Sequence, residues 1–270
     1  MTLLQSFILG IIQGLTEFIP VSSSGHLVLV PHFLGWTLSE DLVFIFDVIV
    51  QLGTLLALIL YFHKDFRDMI NGIIADTHQR GFFQDKRSRL AGFILLSTIP
   101  AGVFGLLLKD FIAISFESPK ATSFFLLGTA ALLLIAEFIG KRIRDIDNIT
   151  WKDAIWIGCF QILALFPGIS RSGATITGGM TRDMNRPTAA RFSFFMAVPI
   201  MLAAGFLATL DLIRLPDISE YILPLFIGFL TSALVGYFAI HWLLQYLIRR
   251  SLYAFAIYCG VIGIIGIIVF

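Results

Sequence analysis

The chain has 270 residues, 57% of them hydrophobic and only 14% charged, with a formal net charge of +1. Several apolar runs approach 20 residues, the length that spans hydrocarbon, which excludes a soluble domain and makes 1–270 a single integral membrane domain in contact with the lipid bilayer. The regular alternation of a β-barrel is absent, and without a basic cluster interleaved with aromatics no nucleic-acid partner is expected.

The N-terminus lacks the basic region of a signal peptide, so no cleavage is expected. Residues 1–35 read as a helix, a break near Pro20–Gly25 and a second short helix. Each limb is too short to cross comfortably, which suggests a re-entrant hairpin. A polar turn follows at Thr37–Asp41. Val43–Phe62 is the first span, residues 63–89 a charged loop, and Leu90–Leu108 a second span with Pro100 inside it. After a short loop, Ala121–Ile139 is the third span, and residues 140–153 form a basic, polar loop. The plan then repeats: a broken hairpin over about 154–180, and spans at roughly 188–212, 222–246 and 252–270. Cys159 and Cys259 lie in apolar runs and read as small buried hydrophobes rather than a disulfide or metal site. Asp47, Glu137 and Asp211 sit near span ends, where water is close.

The repetition extends to residues. GIIQGLTEFIPVSSSGH at Gly10–His26 lies over GCFQILALFPGISRSGAT at Gly158–Thr175, with one residue deleted in the second copy. Gly10 matches Gly158, Gln13 matches Gln161, and Phe18 matches Phe166. Ser22-Ser23-Ser24-Gly25 matches Ser170-Arg171-Ser172-Gly173, while Glu17 stands opposite Leu165. Interrupted hydrophobic segments at corresponding places in two halves point to a membrane binding site. The fold class is therefore an all-α polytopic membrane protein of two inverted-topology repeats, about 1–140 and 150–270, each a re-entrant helix hairpin plus three transmembrane helices.

Positive charge tests this arrangement. If both hairpins leave on the side they entered, one side receives Lys64, Arg67, Arg80, Lys86, Arg87, Arg89, Lys141, Arg142, Arg144, Lys152, Arg182, Arg186, Arg191, Arg249 and Arg250. The other side receives only Lys109, Lys120 and Arg214. That bias is strongly positive-inside and, with both hairpins re-entrant, puts both termini outside; because residues 1–42 contain no Lys or Arg, the first hairpin could cross without altering the count.

Ionisable groups within membrane segments are functional candidates. The second hairpin, with Ser170, Arg171, Ser172, Gly173 and Thr175, is an anion site by composition: a guanidinium, hydroxyls and glycine-rich backbone at the start of a half-helix. Arg171 has a plainer alternative, pairing with Glu17 to hold the hairpins together. From the first hairpin, Glu17 could hold a divalent cation, Mg²⁺ or Ca²⁺, or orient a water. Ser23 could attack phosphorus, and His26 could be base, acid or nucleophile. Ser22 and Ser24 are further phosphate-binding candidates. Against this, His26 could simply bond a backbone carbonyl, and one of Ser22, Ser23 and Ser24 is expected to cap the second half-helix. Gln13 and Gln51 are pocket-lining candidates. His32, His63, His78 and His241 lack ligand spacing.

These residues carry a resemblance. QGLTEFIPVSSSGH at 13–26 and PGISRSGATITGGM at 167–180 make the chain similar, over essentially its whole length, to the undecaprenyl-diphosphate phosphatase family associated with bacitracin resistance. In that family the first motif is Glu or Gln, three residues, then Glu, here Gln13 and Glu17. The resemblance implies that His26 is the essential histidine, Ser23 the motif serine and Arg171 the phosphate-binding arginine. It implies hydrolysis of a C55 lipid diphosphate, undecaprenyl diphosphate, to the monophosphate, which recycles the carrier for peptidoglycan synthesis. It also implies a bacterial cytoplasmic membrane with the active site facing the periplasm. The residues alone leave open a phosphoserine, a phosphohistidine or direct attack by water, and they do not give the oligomeric state.

Two rivals remain on the sequence. Inverted repeats with broken helices are a transporter architecture, and a flippase for a lipid phosphate would use the same cradle but would not need Ser23 or His26. An ion channel would need a continuous polar path, whereas the polar residues concentrate at one locus.

Overall fold

The computed structural model describes residues 1–37, 40–78, 81, 83–108, 111–112, 115, 118–212 and 219–270, with side chains at 40–44, 207–212 and 219–220 left aside. Arg80, Lys109, Arg214 and the Asp211 side chain lie outside that set. Among the described residues there are eleven α-helices and one short 3₁₀ turn, Ile146–Asn148. The first six helices are α1 Leu3–Thr16, α2 Ser23–Phe33, α3 Glu40–Tyr61, α4 His63–His78, α5 Lys86–Leu107 and α6 Pro119–Ile139. They are followed by α7 Trp151–Leu163, α8 Arg171–Met180, α9 Arg186–Leu212, α10 Ser219–Arg249 and α11 Tyr253–Val269. In α5, α6, α9 and α10 there are stretches long and apolar enough to cross a membrane. α3 passes that test only together with α4, from which it bends by 74°, and α11 is a shorter apolar helix. The chain is an integral, polytopic, all-helical membrane protein.

The helix starts follow from local chemistry. Thr2 and Thr150 close capping boxes with Gln5 and Asp153, and Ser118 caps α6 with Pro119 in its first turn. These side chains satisfy N–H groups that have no partner within the helix. Where a charged loop is expected, α4 forms instead. Its charges, Lys64, Asp65, Arg67 and Asp68, conceal an inward face of Phe66, Met69, Gly72 and Asp76 at helical spacing. The buried Asp76 carboxylate then organises the turn after α4 by accepting from Gln84 N and Asp85 N, each at 3.0 Å, and from Ser88 Oγ.

In lipid, apolar burial drives helix association weakly, and small residues allow backbones to approach. α1 lies on α10 in this way: a Cβ at Gly10 would be 2.9 Å from Gly228 O, and one at Gly14 would be 2.7 Å from Val235 Cβ. α7 lies on α5, where a Cβ at Gly158 would be 2.4 Å from Ser97 O. Between these pairs an aromatic core forms around Phe18, Phe62, Phe192, Phe194 and Phe195. Its centre is the edge-to-face contact of Phe18 with Phe194, centroids 5.2 Å apart. Cys259 is buried in this core, whereas Cys159 is exposed on α7, corrected from the buried position expected because it falls on the helix face turned from the neighbours.

Two buried carboxylates lock one end of the bundle. Glu137, at the end of α6, takes Arg186 at 2.7 Å, Arg142 at 2.9 Å and the Leu252 N–H at 2.8 Å. Asp153, at the start of α7, takes Arg144 and Arg182, each at 2.7 Å. Asp65 with Arg191, and Lys86 with Asp147, complete the set. These bonds bring the start of α7 and the exit of α8 to the same end as the starts of α4, α5, α9 and α11. At the other end, Phe33 and His32 of α2 meet Phe270.

Burial alone would raise the Asp153 carboxyl, but bonds from Arg144, Arg182 and Thr150 outweigh it and hold the group well below the usual carboxylate range. A depressed folded pKa contributes stability above the unfolded value of about 3.9 that is lost as pH falls through the folded one. The thermal midpoint in detergent should therefore fall progressively as pH drops below about 4 in wild type, and Asp153→Asn should flatten that fall. An unchanged slope in the variant would show that Asp153 does not carry the acid response.

Candidate active site

Both hairpins break where the sequence places proline and glycine. Between α1 and α2, residues 17–22 form a turn, and Ser22 holds a left-handed φ of 71°. That conformation is costly for a residue with a Cβ. It aims the Ser22 carbonyl back at α2, where it accepts from His26 Nδ1 at 2.7 Å, and its Oγ accepts from Gly25 N at 3.2 Å. The second break works in parallel: Ser170 Oγ accepts from Gly173 N at 3.0 Å. Gly168 has φ 97°, and a Cβ there would be 2.2 Å from Thr122 O. Thr129 Oγ1 donates to Gly168 O at 2.8 Å and accepts from Ser170 N at 2.9 Å, tying the break to α6. The two breaks touch, since a Cβ on Gly25 would be 3.2 Å from Gly168 Cα.

Glu17 stands at this junction, 8% exposed. Its Oε1 accepts from Arg171 Nη2 at 2.9 Å, and its Oε2 accepts from Gln13 Nε2 at 2.9 Å and from Ser23 Oγ at 2.6 Å. Arg171 also reaches Ser193 O at 3.3 Å with Nη1. The structure therefore brings Gln13, Glu17, Ser23 and Arg171 together. Ser23 and Arg171, the matched residues of the two repeats, each open a half-helix, and their side chains converge on one carboxylate.

The other candidates have other partners. His26 does not bond Ser23; its Nε2 lies 2.8 Å from Tyr258 Oη. Ser24 is half-buried, 3.3 Å from Ser22 Oγ. Ser172 Oγ lies 3.1 Å from Ser170 Oγ and reaches Ile19 O at 3.5 Å. Thr175 is buried behind Arg171, with Oγ1 2.6 Å from Ser193 Oγ. Gly173 gives its N–H to the Ser170 cap. Gln51 is half-buried on α3 and makes no side-chain hydrogen bond to these residues. Ser193, Thr129 and Tyr258 were not visible in the sequence as part of the site, because small polar or aromatic residues are common in apolar helices and their partners lie far away in the chain.

Chemically, the junction offers an anion site with a hydroxyl beside a carboxylate. Among the described residues, the backbone N–H groups of Ser23, Ser24, Arg171 and Ser172 have no protein acceptor. They are the first N–H groups of two half-helices, where the helix dipole favours negative charge. Arg171 adds a planar guanidinium.

The oxygen donors also fit a hard cation. Gln13 Oε1 is buried without a partner one turn from Glu17. Of the roughly four acceptor positions on a carboxylate, Glu17 uses three. A carboxylate oxygen, an amide oxygen and substrate phosphate oxygens make a donor set suited to Mg²⁺ or Ca²⁺. No cluster of three acidic, histidine or cysteine ligands occurs among the described residues, so substrate oxygens and water would complete the coordination.

The chain is thus a polytopic helical membrane protein in which two broken hairpins meet at a buried carboxylate paired with a partly buried arginine, beside two open helix N-termini. Residues 6–265 match the family described as Bacitracin resistance protein BacA, and the chain belongs to that family. Its relatives include "Undecaprenyl-diphosphatase 2" of Stutzerimonas stutzeri, 41% identical over 100% of this chain and 99% of the relative. "Undecaprenyl-diphosphatase" of Gemmatimonas aurantiaca is 43% identical over 98% and 97%. A protein of the same name from Thioalkalivibrio sulfidiphilus is 40% identical over 97% of each chain.

Proposed function

We infer that the chain hydrolyses undecaprenyl diphosphate to undecaprenyl monophosphate and inorganic phosphate, the carrier-recycling reaction that underlies bacitracin resistance. Full-length similarity to undecaprenyl-diphosphatases supports the reaction. The observation that carries the site is Ser23 Oγ, 2.6 Å from Glu17 Oε2 and beside Arg171. The Ser23 hydroxyl has a proton acceptor already in place, as an activated nucleophile requires.

The terminal phosphate would sit over the N–H groups of Ser23, Ser24, Arg171 and Ser172, with the Arg171 guanidinium released from Glu17 to the phosphate oxygens. Ser23 Oγ forms a bond to the terminal phosphorus as the P–O bond to the lipid phosphate breaks; the hydroxyl proton passes to Glu17. Undecaprenyl monophosphate leaves, and water then cleaves the phosphoserine to release inorganic phosphate. His26 lies one turn along α2 from Ser23, on the same face. Its Nδ1 is committed as donor to Ser22 O, so Nε2 carries the lone pair that takes the water's proton. Charge developing on the phosphoryl oxygens is met by Arg171 and the two helix N-termini. A divalent cation held by Glu17 and Gln13 Oε1 would supply further positive charge to the diphosphate.

The same reading assigns the architecture to two inverted repeats, about 1–140 and 150–270. Its supports are the equivalent caps of Ser22 and Ser170, the contact of Gly25 with Gly168, and the exchange by which α1 packs on α10 while α7 packs on α5. Because the basic loops gather at one end, the positive-inside rule supports placing that end in the cytoplasm and the termini in the periplasm of a bacterial cytoplasmic membrane; the periplasmic opening of the site rests on the family resemblance.

The test is inorganic phosphate release by purified protein from undecaprenyl diphosphate, with Mg²⁺ and with a chelator, beside the thermal midpoint under both conditions. Release that needs the metal, with a metal-dependent rise in midpoint that Glu17→Gln removes, supports the cation site. Equal release in chelator with no shift in midpoint rejects it. Lipid movement between leaflets without phosphate release would favour a flippase.

A further inference from the structure

We propose that Tyr258 of α11 is a positioning residue that fixes the ring of His26 for catalysis. The proposal rests on the reading of His26 as the proton acceptor. It follows from the order of hydrogen bonds around the imidazole. A carbonyl oxygen can only accept, so His26 Nδ1, 2.7 Å from Ser22 O, must carry the proton. The neutral ring then has its lone pair on Nε2, and Tyr258 Oη, 2.8 Å away, donates to it. Among the described residues, Tyr258 Oη has no other hydrogen-bond partner. The imidazole is thus held at both ends, and its plane lies within 6° of the Tyr258 ring. A second bond to a histidine nitrogen sets tautomer and orientation together.

Tyr258 is itself well placed. The neighbouring Cys259 is buried, with Sγ 3.8 Å from Pro20 O, so α11 is registered directly against the first break. Ser22 supplies the other bond from a left-handed conformation. The two restraints therefore come from independent parts of the chain: one local to the hairpin, one from the last helix. With only the Ser22 bond, the ring could rock about Nδ1 and carry Nε2 away from the face of α2 that holds Ser23. As Nε2 takes the water's proton, the Tyr258 hydroxyl, which can accept as well as donate, turns to accept from the new Nε2–H, so the ring stays held through the proton transfer. The role is distinct from catalysis because Tyr258 needs no contact with phosphorus.

The test uses Tyr258→Phe in the full-length protein. The residue is 41% exposed, so losing its oxygen opens no cavity and the thermal midpoint should hold. Loss of one neutral hydrogen bond should lower kcat about 3- to 10-fold with KM unchanged. In parallel, ¹⁵N spectra of histidine-labelled protein, assigned through His26→Ala, should show the His26 Nε2 resonance moving downfield towards a free lone-pair nitrogen, while Nδ1 stays protonated. An unchanged or increased kcat, or identical His26 resonances in wild type and variant, would overturn the proposal. The spectra do not depend on turnover. Wild-type protein that fails to release phosphate but shows the Nε2 shift would reject the hydrolase reading and leave the Tyr258–His26 bond standing.

Discussion

Arg171→Ala is expected to reduce phosphate release roughly 10³-fold, the upper range for loss of a preorganised donor to a transition-state anion. Two effects combine. The phosphate loses its planar cation, and Glu17 loses the partner of its Oε1 at 2.9 Å. Removing one member of a buried pair typically costs about 3–5 kcal/mol because the other charge remains buried. Here the retained bonds from Gln13 and Ser23 should hold the stability loss towards the lower figure. Arg171→Lys keeps a charge but not the fork that spans two oxygens; it should restore much of the thermal midpoint and little of the turnover. The double variant Glu17→Gln/Arg171→Gln removes both charges and should be more stable than Arg171→Ala while remaining inactive. Near-normal turnover in Arg171→Ala, measured on folded protein, would remove Arg171 from the phosphate site.

Gly168→Ala should be strongly damaging although it changes no charge. A side chain at φ 97° is strained by about 1–3 kcal/mol. Its Cβ would also stand 2.2 Å from Thr122 O and 2.9 Å from Phe125 Cβ, and such overpacking costs a further 1–3 kcal/mol or so. The backbone of the second break would have to move, taking with it the Thr129 bonds to Gly168 and Ser170 and so the start of α8. Turnover should fall along with stability, because Arg171 is the first residue of that helix. Gly35→Ala is the control: it shares a positive φ of 64° but has nothing within 4 Å of the added Cβ. Thermal melts of the two variants should separate strain from collision. Equal, small shifts would mean that the second break is more compliant than its contacts imply.

The residues that define the site could be read because charge in an apolar segment is conspicuous. Glu17 and Arg171 stand out for that reason, and proline with glycine marks the breaks between them. Their partnership was less legible: the sequence allowed Arg171 either to pair with Glu17 or to wait for a phosphate, and the structure holds the pair. The serines around it also divide in a way that type and spacing do not reveal. Ser22 and Ser170 are caps, whereas Ser23 points at a carboxylate. α4 escaped because its four leading charges mask a helical face that becomes apparent only when Phe62, Phe66 and Met69 are seen packed inward. Tyr258 left no signal, since a tyrosine in an apolar helix is ordinary and its partner lies 232 residues away. Glu137 looked like a span-end residue near water and Asp153 fell in the basic, polar loop of 140–153, yet their four arginine partners make them the joints of the basic end.

If this junction breaks a phosphoanhydride as proposed, His26 is needed for the chemistry rather than for the fold. The most direct measurement is inorganic phosphate release from undecaprenyl diphosphate by purified wild type and His26→Ala, side by side, with a thermal melt of each. Wild type should release phosphate, and the variant almost none while still melting cooperatively near the wild-type midpoint. Equal release by the two proteins, or no release by folded wild type, would contradict it.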